Sequence, residues 1–401
     1  GRSIAAVLCP VLVIQAFSAL AAGGAIVCAQ YIGQKNKERA NESARQVLFI
    51  ITMISVLVSA ICLVFQKPLL RLIFGSVEEA VMTASETYFF YTALSFPFIA
   101  MYDSAASIFR AQDNTRGPMV ISMISNVMNI VGNAILIWGF HMGVAGAAIS
   151  TLVSRIFCAV VVLIQLRRDR QMIVVREYLK IRPNWKMIGR ILGIGIPSGI
   201  ENSMFQLGKL AIQSTVSTLG TVAIAAQAMT NILENMSGIA GGGIGIGLMT
   251  IVGQCMGANC KDEAAYYIKK LTVIAEGAII VSSLLVFAAT KPVTMLGGME
   301  KASADMCIYM MKWITVVKPL VWVLAFVPAY GLRAAGDVKF SMITSCAVMW
   351  LCRFCLCVVL IRGFGFGPMG VWIGMFADWT VRAIVFTYRF HSRKWMEHQV
   401  I

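Results

Sequence analysis

Hydrophobic positions in this chain fall into long unbroken runs rather than into alternation. Eleven runs recur from end to end, near residues 4–29, 46–66, 88–109, 118–140, 143–166, 188–218, 221–253, 268–290, 308–332, 340–362 and 366–390. About 20 apolar residues of helix cross the roughly 30 Å of a bilayer's hydrocarbon. Inside lipid every backbone N–H and C=O must find a partner within the chain, so only helices and closed barrels span it. Barrel strands alternate in segments of about ten residues. These runs do not, so the pattern predicts membrane helices. The longest polar interval, 167–187, is charged, carries Pro183 and Trp185, and predicts a short amphipathic stretch on a membrane surface.

The polar punctuation repeats. Gln30-Tyr31-Ile32-Gly33, followed by Ala40, returns 224 residues later as Gln254-Cys255-Met256-Gly257, followed by Ala264. The same shift carries Lys67-Pro68 onto Lys291-Pro292 and the Gly143/Gly146 pair onto Gly367/Gly370, while Arg110-Ala111 meets Arg333-Ala334 at a shift of 223. One unit occurs twice, a plan common among membrane transporters. The run 221–253 is the partner of 4–29, and the run before it, 188–218, has no partner in the first half. The expected fold is an all-α, polytopic helical bundle of two six-helix lobes related by an internal repeat, eleven helices being present of twelve. The first lobe is expected at 1–166, lacking its opening helix, the linker at 167–187, and the second lobe at 188–401. Because six is even, the two lobes share one orientation in the membrane.

Composition agrees: 58% of residues are apolar and 13% charged, against about 45–50% and about 25% in soluble domains. The net charge of +15 suggests nucleic acid only until the charges are placed. Lys35, Lys37, Arg39, Arg45, Arg110, Arg116, Arg176, Lys186, Lys261, Lys270, Arg333, Lys339, Arg389 and Arg393 all lie at alternate helix ends. That asymmetry is the positive-inside pattern. It predicts a multi-pass protein of the cell membrane with a cytoplasmic C-terminus, and no nucleic-acid partner. The eleven cysteines show neither metal spacing nor a paired framework, and His141, His391 and His398 lie at helix ends or in the tail. No acid–base or metal constellation exists for an enzyme, and duplicated lobes argue against a passive channel. The glycine-rich run 238–247 lies inside an apolar span with no preceding strand and no Lys-Ser/Thr, so it reads as close packing or a hinge, not a nucleotide loop.

An ionisable side chain at membrane depth costs at least about 2.5–3.5 kcal/mol on insertion scales, so each needs a reason. Glu201 follows the helix-kinking Pro197 and borders a polar face formed by Asn202, Gln206, Lys209 and Gln213. The next helix offers Gln227, Asn231, Glu234 and Asn235. The two faces read as the lining of one cavity. The bland alternative is an ion pair of Lys209 with Glu201 or Glu234. Lys318, ahead of Pro319, would repel cations unless Glu201 or Glu234 neutralises it, and leaves room for anionic or zwitterionic substrates. Asp103 either takes part in coupling or pairs with Arg155. Asn129 and Asn133 share a helix face near Thr151 and either bind a hard cation through oxygen or join two helices by hydrogen bonds. Asp378 and Arg382, one turn apart, read as a stabilising pair. Arg353 has no evident partner. Met119, Met123, Met204, Phe205, Met229 and Met236 are candidates for an adaptable drug cleft, with ordinary core the competing use.

The two copies of Gln-x-x-Gly with Ala seven residues on, Gly195-Ile196-Pro197-Ser198-Gly199-Ile200-Glu201, Gly331-Leu332-Arg333-Ala334-Ala335-Gly336-Asp337, Phe109-Arg110-Ala111-Gln112-Asp113-Asn114 and Gly143-Val144-Ala145-Gly146 stand in the order seen in one family. Together they resemble the MATE family (multidrug and toxic-compound extrusion) over essentially the whole chain except its first helix. The resemblance implies a secondary antiporter that exports small organic compounds, often cationic, against sodium or proton influx. The two lobes would give alternating access, with no cofactor and an expected monomer. It places a cation-coupling carboxylate at Glu201, and matches Asn129 and Thr151 to an ion site in the first lobe where Asn133 replaces the family's acid. A sodium ion is thus implied at Asn129, Asn133 and Thr151 or at Glu201. The alternative within the same superfamily is a flippase for lipid-linked oligosaccharides, which the cations Lys209, Lys318 and Arg353 favour.

Overall fold

The computed structural model describes residues 2–74, 79–168 and 171–401. Every regular element among them is helical: α1 (Arg2–Gly33), α2 (Lys37–Val64), α3 (Gln66–Phe74), α4 (Glu79–Leu94), α5 (Phe96–Ala111), α6 (Arg116–Asn133), α7 (Gly143–Leu166), α8 (Trp185–Val216), α9 (Thr221–Gly257), α10 (Lys261–Leu296), α11 (Lys301–Ala334), α12 (Val338–Ala347), α13 (Cys355–Val358) and α14 (Met369–His391). Wider π-helical turns extend α6 over Ala134–Gly139 and flank α13 at Val348–Phe354 and Val359–Gly363. Nine spans among the described residues are long and apolar enough to cross a membrane. Two expected ones fall outside that set for visible reasons. The run 88–109 is broken at Ser95, which ends α4, with Pro97 taken into the first turn of α5, where its missing N–H costs nothing. Helix α8 is long enough, but Glu201, Asn202, Gln206, Lys209 and Gln213 lower its hydropathy.

The chain divides into two units, Gly1–Ser203 together with Ile401, and Met204–Val400, and the boundary lies inside α8. In the first, α1 packs on α2 and α5, and α7 on α5 and α6. In the second, α9 packs on α10 and α11, and α11 on α14, around a core that includes Trp372, Trp379, Met310 and Met349. The duplication is visible in the backbone. Helices end at Gly33 and Gly257 and restart at Lys37 and Lys261, a shift of 224. Left-handed residues Lys35, His141 and Gly143 recur at that shift as Asn259, Gly365 and Gly367, at turns where most side chains are disfavoured. The copies differ in continuity. The first uses α4 and α5 where the second has one helix, α11, running through Pro319 and Pro328.

The polar interval after α7 is bound to the first unit. Val175 N–H donates to Leu166 O at 3.2 Å and the Tyr178 hydroxyl to Leu163 O at 2.6 Å, satisfying carbonyls that a helix end leaves open. Ile173 N–H donates to Gln112 Oε1 (2.8 Å) and Val174 N–H to Asn41 Oδ1 (2.7 Å). Gln46 closes the segment from both sides, donating to Arg182 O and accepting from Asn184 N–H. Burial pushes the Tyr178 phenol up to about 12, so it stays a donor.

Candidate functional site

Close helix approach places the first buried charges. Cβ atoms on Gly241 and Gly245 of α9 would lie 2.6 Å and 2.4 Å from the rings of Trp322 and Tyr330 on α11, so only glycine admits α11 at this distance. The approach brings Lys318, which has no exposed surface, onto α9. Its ammonium donates to Glu234 Oε1 at 2.6 Å, Glu234 O at 2.8 Å and Ser237 Oγ at 2.9 Å, and lies 5.0 Å from the Trp322 ring centre. Three donors meet three oxygens, and the charge of Glu234 is matched. The proposed Lys209–Glu234 pair is therefore not formed: Glu234 turns toward α11, while Lys209, exposed, sits over the Phe205 ring at 4.9 Å. Glycine packing, not the order of helices along the chain, decides which lysine reaches the carboxylate.

A second cluster is left incomplete. Arg382 donates through Nε to Asp378 Oδ1 (2.7 Å), and through Nη1 and Nη2 to Ser345 Oγ and O (2.8 and 3.0 Å), so the expected one-turn pair exists with an added clamp on α12. Arg353, carried by the π-helical turn after α12, is buried with Nε and Nη1 lacking any hydrogen bond. Its nearest carboxylate oxygen, Asp378 Oδ2, is 3.7 Å away and equally without a hydrogen bond. The Phe205 ring lies 5.2 Å from the Arg353 guanidinium and 5.7 Å from that of Arg382.

Gln227 and Asn231 belong to a different contact: the Trp372 indole donates to Gln227 Oε1 at 3.0 Å, and Gln227 reaches Asn231 Oδ1 at 3.5 Å. Nothing in the sequence pattern singled out Trp372, Ser237 or Ser345 for these roles. Glu201 is buried on the part of α8 that belongs to the first unit, next to half-buried Asn202, whereas Gln206 and Lys209 lie on the part belonging to the second.

The first unit has its own polar centre. Asn129 Nδ2 donates to Thr151 Oγ1 at 3.2 Å, Asn133 Nδ2 to Asn129 Oδ1 at 3.2 Å, and Ser150 Oγ to Asn129 O at 3.0 Å. These three predicted residues come together, and Asn133 Oδ1 is left buried without a partner. The Asp103–Arg155 pair is not made: Arg155 donates to Ser95 Oγ at 2.5 Å, at the break between α4 and α5, and Asp103 lies in electrostatic range of both Arg110 and Arg155 without a hydrogen bond to either.

Buried charges and amides placed halfway along membrane-length helices, in two copies of one unit, are the architecture of a membrane transporter. The family model described as MatE matches residues 2–135 and 197–359, and the chain belongs to that family, whose members are transporters rather than enzymes. An uncharacterized transporter of Bacillus subtilis, YisQ, is 26% identical over 96% of this chain and 85% of its own length. The probable multidrug resistance protein NorM of Thermotoga maritima is 24% identical over 94% of this chain and 82% of its length. Among solved structures, an outward-facing conformation of a multidrug resistance MATE family transporter of the MOP superfamily superimposes with a TM-score of 0.89 at 20% identity, covering 98% of this chain and 88% of that one. A MOP superfamily transporter from Pyrococcus furiosus, described as having a binding pocket of reverse polarity, gives 0.86 at 20% identity, covering all of this chain and 90% of that one.

Proposed function

We propose that the chain is a secondary active antiporter of the cell membrane that exports small organic compounds of the drug type. Influx of sodium or protons drives it by alternating access, with the basic helix ends and the C-terminus in the cytoplasm. Relatives named for multidrug resistance and export support the cargo class. One observation in the structure supports the coupling: Glu201 is a buried carboxylate at mid-helix depth, one turn after the helix-internal Pro197. The oxygens of Asn129, Asn133 and Thr151 suit a hard cation such as sodium, and the orphaned Asn133 Oδ1 gives such an ion a ligand to satisfy. An ion binding at either place biases the two access states only by its difference in affinity for them.

The test is efflux of a cationic dye from proteoliposomes under an imposed sodium gradient, then under a pH gradient, with Glu201→Gln and Asn133→Leu in parallel. Transport is expected under one gradient and is lost in Glu201→Gln. If sodium is the ion and sits in the first unit, Asn133→Leu raises the sodium concentration required. Dye efflux indifferent to both gradients would overturn the antiport reading.

A further inference from the structure

The second unit gathers more positive charge in one cluster, part of it buried, than the carboxylates beside it answer. Lys209, Lys318, Arg353 and Arg382 stand in one electrostatic neighbourhood with only Glu234 and Asp378. Lys318 consumes Glu234 and Arg382 consumes one oxygen of Asp378. What remains is Arg353, a planar fork of five donors whose side chain makes no hydrogen bond among the described residues and only a long ion pair to Asp378 at 3.7 Å, and Lys209, whose ammonium rests on Phe205. Moving Arg353 the short distance onto Asp378 would put two guanidiniums on one carboxylate and leave the excess charge in place. A buried ion pair that no hydrogen bond completes is poorly compensated, and the face of one phenyl ring adds little.

The fold does not require this charge. The shift of 224 residues that relates the repeats carries Asn129 onto Arg353 and Ser154 onto Asp378, so the equivalent helix pair of the first unit packs with an amide and a hydroxyl at these positions. Arg353 also sits on a π-helical turn, a departure from regular helix frequent at functional sites. Lys209 is exposed and Arg353 is buried, and the Phe205 ring centre lies 4.9 Å from the Lys209 ammonium and 5.2 Å from the Arg353 guanidinium.

We propose that Lys209, Phe205 and Arg353 form a binding site for an oxyanion, the carboxylate or phosphate group of an amphipathic organic acid carried as substrate. The guanidinium fork takes two oxygens side by side, Lys209 attracts the anion from the open side, and Phe205 lies against its apolar body. Asp378 keeps Arg382 and Ser345 in place and repels a second anion. The proposal rests on the transport reading for its meaning, but binding is measured without transport.

The test uses the whole protein in nanodiscs of phosphatidylcholine, with carboxyfluorescein as probe and fluorescence anisotropy as readout. Saturable binding is expected, weakened at least tenfold in Arg353→Gln, less in Arg353→Lys, and several-fold in Lys209→Gln. Removal of an exposed cation elsewhere, Arg393→Gln, leaves it unchanged. Because Lys209 is exposed, Lys209→Gln folds and decides the matter if Arg353→Gln does not. Absence of saturable binding, or affinity unchanged in Lys209→Gln and in any folded Arg353→Gln, overturns the proposal. Displacement by soluble benzoate assigns the site to free organic acids, and displacement by polyprenyl phosphate in the disc but not by benzoate assigns it to a lipid-borne phosphate. Displacement by neither overturns it. Saturable anion binding with no gradient-driven efflux would sink the antiporter reading alone, whereas dye efflux without anion binding would sink this site alone.

Discussion

At the residue scale the second unit's interior is governed by Lys318. Its ammonium takes the place an inorganic cation would take among Glu234 Oε1, Glu234 O and Ser237 Oγ. Breaking a buried pair by removing one partner typically costs about 3–5 kcal/mol, because the other charge stays behind. Lys318→Met is therefore expected to lower the thermal midpoint of the detergent-solubilised protein sharply. Lys318→Met with Glu234→Gln is expected to recover most of the loss. Additive effects in that double-mutant cycle would show that the two side chains do not depend on each other. Each of these residues was legible in the sequence as an ionisable group too deep to be idle. Their pairing was not, since Glu201 and Glu234 were equal candidates to neutralise Lys318 and Lys209 competed for Glu234. Arg353 illustrates the other limit: its long ion pair to Asp378, without a hydrogen bond, is a matter of distances that spacing along a chain does not carry.

At the element scale, close contacts decide stability. A Cβ on Gly23 of α1 would lie 2.7 Å from the backbone of Gly195 on α8, where nothing can rotate away. Gly23→Ala is expected to cost about 1–3 kcal/mol, the usual range for overpacking, and to reduce the yield of folded protein in size-exclusion chromatography. Gly189→Ala on α8, with open space around it, serves as the neutral control. Tyr178→Phe removes one hydrogen bond from the end of α7, worth about 1 kcal/mol. The phenol's folded value of about 12 lies above its ordinary value near 10. Its contribution is thus fully present below pH of about 10 and lost as pH rises through the folded value. The stability gap between wild type and Tyr178→Phe should be constant from pH 6 to 9 and narrow only in strong alkali. The apolar runs announced nearly every helix because length and hydropathy are one-dimensional properties. The break at Ser95 and the π-helical turns were not announced. The chain breaks just before Pro97, whereas in the second unit Pro319 and Pro328 interrupt nothing, so proline alone does not say which outcome holds.

At the scale of the whole molecule, the distribution of charge makes a directional prediction. A membrane-impermeant maleimide applied to intact cells should label Lys301→Cys and spare Lys394→Cys, both exposed sites, above the background of the eleven native cysteines. Labelling of Lys394→Cys from outside would reverse the orientation. The duplication was legible because polar turns between membrane helices keep their register. The division of the chain inside α8 was not, since α8 reads as one uninterrupted helix.

The strap of residues 171–184 has a consequence for how the protein is made. Its hydrogen bonds to Gln112, Asn41, Gln46 and the end of α7 all join parts of the first unit, so the strap has these partners once the chain has reached the middle of α8. A ribosome adding about 5–20 residues per second needs some 10–40 s more to deliver Met204–Val400. The strap therefore has time to close on α2, α5 and α7 before the rest of the chain is made.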